Sequence, residues 1–469
     1  MQAKSDVAFP FAETALARSY GDLSGATVAA TQAALTDTLA CALAGTNAPG
    51  VGEARAGFGR QWPGGTVTVW GGFGKAMGPM AAVMNAASLH ALDYDDTDDK
   101  VPLHANSVLL PALMAYMEER GIACDGKAFL TALAVGIDGA MRIGRAGRPK
   151  ARKGWNYSVI SGGIGTILAL GHLGKWDTQT TVNALGHQLA QTSGSLQSII
   201  DGSLAKRFQP AMLAKDTLFA AALAEAGVDG PRNVFEGRAG FWALYQDGEW
   251  DRDVMLTGME TCSMVTDLSL KPYPTCRFTH ASIDVGIEMH RQGLRPENIK
   301  RLKIMPSGQA VNMTGRDFDH TKAGVVDAQF SVAYSTSVAL AQGAMKIDDI
   351  TIDRIRQSPV GAFVAEKVVV EANPKVDFLS MSPVVIEAEL TSGEIRRFDG
   401  PDVSGSPEKP LTRDQLFDKV ADCLGSNDAA VSAEELMASV DGLPGAASMA
   451  PVMDLLARPS TRAKHSAVA

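Results

Sequence analysis

Residues 90–119 read HALDYDDTDDKVPLHANSVLLPALMAYMEE, and the fold has to accommodate this stretch. Five aspartates fall within seven residues, at Asp93, Asp95, Asp96, Asp98 and Asp99. His90 precedes this acidic cluster and His104 follows it. Apolar side chains then recur with helical spacing, which predicts a helix buried on one face: Leu110, Leu113, Met114 and Met117. If the helix before the cluster continued through it, His90, Asp93 and Thr97 would share one face.

Three interpretations of the acidic cluster are open. The first is a solvated loop, which most runs of charge form. The second is a metal site. An EF-hand register starting at Asp93 fails, because it requires Gly at position 98 and Glu at position 104. Residues 95–99 do match the DDxxD pattern of helical terpenoid synthases, but the nearest second metal motif, at 427–435, has Val431 where Ser or Thr is required. The third is acid–base chemistry by Asp93 and His104, since a carboxylate and an imidazole can move protons near neutral pH.

The composition excludes several classes of protein. The chain of 469 residues is 46% hydrophobic and 20% charged, which is typical of a globular protein. Aromatic residues make up only 6%, which favours closely packed helices over an aromatic-lined terpene cavity. The net charge of −9 and the absence of a basic stripe argue against nucleic acid as a partner. An acidic protein that binds an anion must concentrate its cations locally.

Cysteine usage and hydropathy predict a soluble, cytoplasmic protein with no membrane partner. The cysteines are odd in number and lack CxxC spacing, so they suggest neither disulfides nor a zinc site: Cys41, Cys124, Cys262, Cys276 and Cys423. The N-terminal residues lack the layout of a signal peptide. No apolar run approaches the length that crosses a bilayer.

The periodicity of apolar residues predicts a mainly α protein with an α/β insert. Helical patterns dominate residues 1–267, where Asp125 is a plausible N-cap for the helix that follows it, and they return at 409–469. Residues 268–408 contain strand-like alternation: 299–305 is predicted to be a strand, and the turn residues 391–394 between two alternating runs predict a β-hairpin. Residues 328–342 of the insert are predicted to be helical. We expect 1–267 and 409–469 to form one large helical domain and 268–408 to form a smaller α+β lid. A cleft between the two is a usual place for a small-molecule site.

Two groups of cations are candidates for binding an anion in that cleft. Lys206 and Arg207 directly precede a predicted helix, whose N-terminus would also favour an anion. Lys271, Arg277 and His280 cluster around the turn that opens the lid. The alternative for both groups is ordinary surface charge.

Four sequence blocks, in this order, resemble the MmgE/PrpD family over nearly the whole chain. They are HALDYDDT with HANSVLLPAL, then GSLAKRFQPA, KPYPTCRFTH and DAQFSVAYSTSVAL. The family includes 2-methylcitrate dehydratases, cis-aconitate decarboxylases and iminodisuccinate epimerases. The resemblance implies a helical domain built from both termini, an α+β lid, a homodimer, and catalysis without a metal or organic cofactor.

The resemblance also implies roles for individual residues around a pocket for a di- or tricarboxylate. We expect the catalytic residues to be Asp93, His104, Tyr334, Lys206 and Lys271. We expect the substrate to be bound by Thr97, Asn156, Arg207, Arg277 and His280. One departure is Asn156, which stands where the family often has histidine. An asparagine can form hydrogen bonds but cannot carry a proton at neutral pH.

The leading hypothesis is a cofactor-independent lyase that removes water from a small di- or tricarboxylate, such as a citrate-like acid. Epimerisation (an isomerase activity) or decarboxylation of a similar acid is the nearest alternative. More distant alternatives are a magnesium-dependent terpenoid synthase and a non-catalytic helical binding protein. We predict that Lys206 and Lys271 approach the substrate carboxylates from opposite sides of the cleft. We also predict that His104 is an essential acid or base, with Asp93 beside it, and that the cluster binds no essential metal.

Overall fold

The computed structural model describes residues 5–147 and 154–459, and helices dominate it. The first helical part precedes the lid. Its helices are α1 Ala8–Leu16, α2 Gly25–Ala44, α3 Val51–Gln61, α4 Gly78–His90, α5 Asn106–Glu119, α6 Gly126–Ala146, α7 Tyr157–Gly174, α8 Thr178–Gln191, α9 Gln197–Ile200, α10 Ala205–Glu225, α11 Phe241–Tyr245 and α12 Arg252–Leu256. The short strands β1 Val67–Thr68 and β2 Lys75–Ala76 pair antiparallel between α3 and α4.

Helices α6 and α7 form the centre of this part, and small residues let them pack closely. A Cβ on Gly165 of α7 would lie 2.3 Å from the backbone oxygen of Gly136 in α6, so no larger residue fits there. The Asp125 side chain caps α6 by accepting a hydrogen bond from the Ala128 amide at 2.8 Å. Contrary to the expectation that no apolar run approaches this length, helix α7 is long and apolar enough to cross a bilayer, but 83% of it is buried inside the fold. Core packing therefore explains its apolar composition.

The lid is built on a mixed four-stranded sheet with the strand order β4-β3-β5-β6. Strand β3 pairs parallel with β4 and antiparallel with β5, and β5 and β6 form a hairpin. The elements are α13 His280–Arg291, β3 Ile299–Met305, α14 Gly308–Thr314, α15 Val325–Gln329, α16 Val332–Gln342, α17 Ile352–Gln357, α18 Pro359–Lys367, β4 Val368–Val370, β5 Val384–Leu390 and β6 Ile395–Gly400. Helices α13 and α16 share apolar cores with this sheet, as Met289 and Leu340 show. The predicted fold class, mainly α with a smaller α/β portion, is confirmed.

The C-terminal helices return to the first helical part. They are α19 Arg413–Ser426, α20 Ala433–Asp441 and α21 Ala450–Leu456. Val420 and Leu436 belong to the same buried apolar cluster as Leu35 and Leu39 of α2. The division of the chain at residues 267 and 409 stays a prediction.

Three local expectations differ from the structure. Helix α4 ends at His90, so His90, Asp93 and Thr97 do not share a helical face. Helix α10 begins at Ala205, so Lys206 and Arg207 lie inside its first turn rather than before it. The continuous helix expected over residues 328–342 is divided into α15 and α16. The end of α4 and the start of α10 both lie beside side chains that meet across the fold. Such long-range contacts cannot be read from the local periodicity of the sequence.

Candidate active site

Asp93 lies buried in the turn after α4, with its backbone in the left-handed region at φ +52°. A non-glycine residue there is held by its surroundings, and such residues concentrate at functional sites. The Lys271 ammonium donates to the backbone carbonyl of Asp93 at 2.8 Å. The segment before Lys271 is itself fixed, because Thr97 and Ser269 exchange backbone hydrogen bonds at 2.9 and 2.8 Å.

Two lysines converge on the Asp93 carboxylate. Lys206, in the first turn of α10, forms an ion pair with Oδ1, and the Lys271 ammonium lies 3.3 Å from the same oxygen. Burial alone would raise the pKa of Asp93, but the two ammonium groups hold it well below its usual range. Asp93 Oδ2 accepts no hydrogen bond from the described residues. The lysines therefore meet on a protein carboxylate, where we expected them on opposite sides of a substrate.

Asp95 links the two histidines that flank the cluster. Its buried Oδ2 lies 2.8 Å from Nδ1 of His90 and 3.3 Å from Nδ1 of His104. The second contact is at ion-pair distance without well-formed hydrogen-bond geometry. Burial alone would raise the pKa of Asp95, but the two imidazoles hold it well below its usual range. Since an ionised carboxylate only accepts, it favours a proton on Nδ1 of each ring, which leaves Nε2 of His104 to gain or lose a proton.

His90 and His104 have different environments. Burial lowers the pKa of His90 to about 4, so its ring is neutral near pH 7. The side chain of His104 is 14% exposed and lines a cavity. Its backbone amide donates to the Ser158 hydroxyl at 2.9 Å, which fixes the loop against α7. Helix α5 has Ala105 at its N-cap and no side-chain cap, so His104 is not a helix cap.

The remaining aspartates of the cluster turn to separate partners. Asp98 accepts from the Arg145 guanidinium at 2.6 and 2.9 Å, and Asp99 accepts from Arg277 at 2.7 Å through both oxygens. Asp96 is fully buried, and burial raises its pKa to about 7. The interpretation as a solvated loop is wrong, because four of the five carboxylates of the cluster are shielded from water, namely Asp93, Asp95, Asp96 and Asp98. The carboxylates of the DDxxD pattern do not converge on one metal position.

A different set of four residues has the spacing of a metal site. Ligand atoms of His90, Asp93, Asp95 and His104 all lie within 4.8 Å of one another. The ammonium groups of Lys206 and Lys271 lie against Asp93, so they would repel a divalent cation there. Asp95 already contacts both imidazoles, so a metal ion would have to compete with these contacts for its ligands. The expectation that the cluster needs no metal stays a prediction.

A cavity of about 410 Å³ opens between the helical part and the lid. Its polar wall contains the cluster residues and the converging cations: His90, Asp93, Thr97, Asp99, Lys100, His104, Lys206, Lys271 and Arg277. Four cationic side chains against two carboxylates give the described lining a formal charge of +2, apart from the histidines. The protein as a whole has a charge of −9. The cations are thus concentrated where an anion can enter.

Several predicted substrate-binding residues line this cavity with their side chains already engaged. Asn156 caps α7, because its Oδ1 accepts from the Ser158 amide at 3.1 Å, and its Nδ2 donates to Gln209 at 3.3 Å. The Arg277 guanidinium is bound to the carboxylate of Asp99. Asn156 therefore acts on the site mainly by placing the start of α7.

The structure does not bring Arg207, His280 or Tyr334 to the cavity lining, which corrects their predicted roles. Arg207 donates to the backbone carbonyl of Pro49 at 2.8 Å. His280 is fully buried, and its ring nitrogens contact a backbone carbonyl and a neighbouring guanidinium. Tyr334 donates its hydroxyl to the Asp349 carbonyl at 2.8 Å, inside the lid core. These side chains support the walls of the site.

Candidate site residues of two kinds have little or no signal in the sequence. Asp95 and His90 were part of the quoted stretch, and the spacing of five between them was the only signal for their contact. Gln309, Asn312 and Phe330 reach the cavity from the lid. They carry no local signal, because the packing of the lid against the helical part brings them there.

Comparison with known proteins identifies relatives along most of the chain. Residues 10–253 match the MmgE/PrpD N-terminal domain, and residues 273–441 match the MmgE/PrpD C-terminal domain. The chain is 26% identical to a cis-aconitate decarboxylase of Aspergillus terreus over 452 residues, which cover 90% of this chain and 89% of that protein. It is 26% identical to the cis-aconitate decarboxylase-like protein oryM of Aspergillus oryzae over 412 residues, 82% and 83% of the two chains. Its identity to human cis-aconitate decarboxylase is 24% over 369 residues, 75% and 74% of the two chains.

Proposed function

The chain belongs to the MmgE/PrpD family of enzymes, and from that premise we propose that it is a cofactor-independent lyase that decarboxylates a small unsaturated tricarboxylate of the cis-aconitate class. One observation carries the proposal. The paired lysines on Asp93 and the His104 imidazole beside Asp95 face the same cavity. The Aspergillus terreus and human relatives, which are cis-aconitate decarboxylases, support it by similarity over most of their length.

The cations of the cavity supply binding for the substrate carboxylates. A lysine ammonium has three N–H donors, and Asp93 uses only part of those on Lys206 and Lys271. The remaining N–H donors can form charge-assisted hydrogen bonds with a substrate carboxylate that lies next to Asp93. Such bonds are stronger than those between neutral groups, so they orient the substrate as well as retain it.

The chemical step then needs a place for one electron pair and one proton. The bond between carbon and the departing carboxylate breaks, and CO₂ leaves. The electron pair spreads through the neighbouring C=C bond to a second carboxylate, whose growing negative charge the lysines stabilise. His104 donates a proton to the carbon of the former C=C bond that lies next to the second carboxylate. The C=C bond thereby shifts toward the carbon that lost CO₂, and water returns a proton to the imidazole. Asp95 stabilises the charged form of that ring.

The number of proton carriers favours decarboxylation over loss of water. Dehydration needs a base for the C–H bond and an acid for the departing hydroxide. His90 is neutral near pH 7 because burial lowers its pKa to about 4, and Asn156 cannot titrate. Elimination of water is the second candidate, and the observation that favours it is the second polar group beside His104, Asp93 Oδ2, which has no hydrogen-bond partner within the described residues.

The test of the reaction is a panel of di- and tricarboxylates incubated with the protein in deuterated water and followed by NMR. Decarboxylation gives CO₂ and a product with a shifted C=C bond that carries one deuterium on the carbon next to the second carboxylate. Loss of water gives a new C=C bond, and epimerisation exchanges deuterium without loss of mass from the carbon frame. If no acid in the panel changes in any of these ways, the proposed function is wrong.

The test of the site is His104→Asn, which keeps a hydrogen-bonding side chain but cannot carry a proton. If His104 delivers the proton, turnover by this variant is expected to fall by roughly 10²–10⁴-fold. The circular dichroism and the oligomeric state should match those of the wild type. A folded His104→Asn protein with wild-type kcat and pH profile would remove His104 from the mechanism.

A further inference from the structure

The cavity has two chemically different halves. The charged half contains Asp93, His104 and the two lysines, as described above. The other half is apolar, and its side chains belong to one hydrophobic cluster formed between α9 and the lid: Leu196, Ile199, Phe278, Met313, Phe330 and Met381. An apolar wall of this extent has to be explained by what the cavity holds.

Phe330 joins the two halves. Its ring centre lies 5.3 Å from the Lys206 ammonium, while the ring is buried in the same cluster as Ile199 and Phe278. The apolar half therefore begins next to the position proposed for a carboxylate. On the side of α14, the described polar lining consists of the neutral amides of Gln309 and Asn312. That side offers a carboxylate no cation among the described residues.

A ligand made only of carboxylates does not suit this second half. Moving a carboxylate from water against apolar side chains is strongly unfavourable without a cation to pair with it. Burying an apolar group there is favourable, because both surfaces leave water. Two of the side chains are methionines, which adapt to flexible apolar ligands better than branched or aromatic side chains do.

We infer that the natural substrate is a tricarboxylate that carries an alkyl substituent longer than methyl, and that this chain lies in the apolar half while the carboxylates lie at Lys206 and Lys271. The inference rests on the proposed function and narrows its substrate class, because cis-aconitate itself has no alkyl substituent. The reacting bonds stay in the charged half.

A binding series tests the inference without turnover. The probes are propane-1,2,3-tricarboxylate and its derivatives with methyl, butyl and hexyl groups on a terminal carbon, measured with the full chain by isothermal titration calorimetry. Each methylene that leaves water should lower Kd by up to about fourfold. We therefore expect the butyl compound to bind at least roughly tenfold more tightly than the unsubstituted acid.

Variants locate the alkyl chain. Met313→Gln together with Met381→Gln keeps the size of both side chains and makes the wall polar. The double variant should lose most of the preference for the butyl compound and bind the unsubstituted acid within about twofold of wild type. Met77→Gln is the matched control, since Met77 is 41% exposed and does not line the cavity.

The outcomes separate the two proposals. Affinity that rises with chain length and depends on the two methionines supports the inference. If all four acids bind equally, or if the longer ones bind more weakly, the inference is overturned and the proposed function stands. If none of the acids binds, the proposed function fails and the inference fails with it. Should the double variant not fold, the series on the wild type and on Met381→Gln alone gives the same decision.

Discussion

Replacing Asp95 by asparagine should separate the charge of this side chain from its shape. Asp95 is fully buried, and its Oδ2 lies 2.8 Å from His90 and 3.3 Å from His104. Asparagine has the same size and can still accept one hydrogen bond. It cannot stabilise a charged imidazole as a carboxylate does, because its side chain is neutral. Asp95 is thus a positioning residue whose action passes through His104.

The size of the effect follows from the distance. Two unit charges 3.3 Å apart interact by roughly 5 kcal/mol at an effective dielectric constant of about 20. The net interaction energy between Asp95 and His104 is smaller, because both groups lose water on burial and Asp95 also binds His90. We therefore take the energy of one charge-assisted hydrogen bond, about 1.5–3 kcal/mol. Asp95→Asn is therefore expected to lower kcat by roughly 10- to 150-fold with little change in KM.

The assay is steady-state turnover between pH 5 and 9 on the acid found by the NMR panel. The pH profile of Asp95→Asn should differ from that of the wild type, because Asp95 acts through an imidazole that transfers a proton. Asp98→Asn is the matched control. It removes a buried, ion-paired carboxylate of the same cluster that does not line the cavity, so stability should fall while kcat stays within about threefold. An Asp95→Asn enzyme with wild-type kcat and pH profile would refute the reasoning.

Three further predictions concern binding and stability. Lys271→Met should lower kcat/KM by roughly 10- to 150-fold, because it removes a charge-assisted contact and releases the strained turn at Asp93. Lys419→Met should lower the free energy of unfolding by about 3–5 kcal/mol in denaturant titrations, because buried Asp37 then loses its ion-pair partner. Acid should destabilise through His90 between about pH 6.5 and 4, where the unfolded chain binds a proton that the folded protein excludes. The carboxyl group of Asp96 has the opposite effect, since the folded protein keeps a proton there up to about pH 7 and the unfolded chain releases it near 3.8. The free energy of unfolding of Asp96→Asn should therefore fall more steeply with acid than that of the wild type, by up to about 1.4 kcal/mol per pH unit.

Matched controls make these three outcomes decisive. Lys100→Met removes another lining cation, which is 54% exposed and paired with Asp267, and it should leave kcat/KM within about threefold. Lys215→Met breaks a partly exposed surface pair and should change stability by no more than about 1 kcal/mol. The predictions would be contradicted if Lys419→Met and Lys215→Met lowered the free energy of unfolding equally. They would also be contradicted if this free energy fell equally steeply with acid in the wild type and in Asp96→Asn.

The sequence predicted the elements whose signal is local. Strand β3 was expected at residues 299–305 and is observed there, and the hairpin of β5 and β6 was indicated by the turn residues between two alternating runs. The Asp125 cap was also confirmed, since the side chain acts on the helix that immediately follows it. Periodicity and turn chemistry are properties of neighbouring residues, so they can be read without the fold.

Four of the five residues predicted to be catalytic lie together in the structure. Asp93, His104, Lys206 and Lys271 all lie at the cavity, although the block resemblance, more than spacing, had singled them out. Tyr334 stood in an equally matched block but faces the lid core, because the register of a helix against its neighbours determines which face meets the cavity. The catalytic role of each lining residue stays a prediction.

The charges of the acidic cluster connect the site to the whole fold. Asp93, Asp95 and Asp98 are no more than 2% exposed, and an ion buried this deeply is unfavourable by several kcal/mol unless it is paired. The pairing cations come from distant segments: Arg145 of α6, Lys206 of α10, and Lys271 and Arg277 at the start of the lid. Neither the helical part nor the lid supplies all of them, so the cluster is fully compensated only when both are folded and in contact. The same contact creates the cavity. The interactions that make buried carboxylates tolerable are therefore those that place two lysines and an imidazole around the cavity.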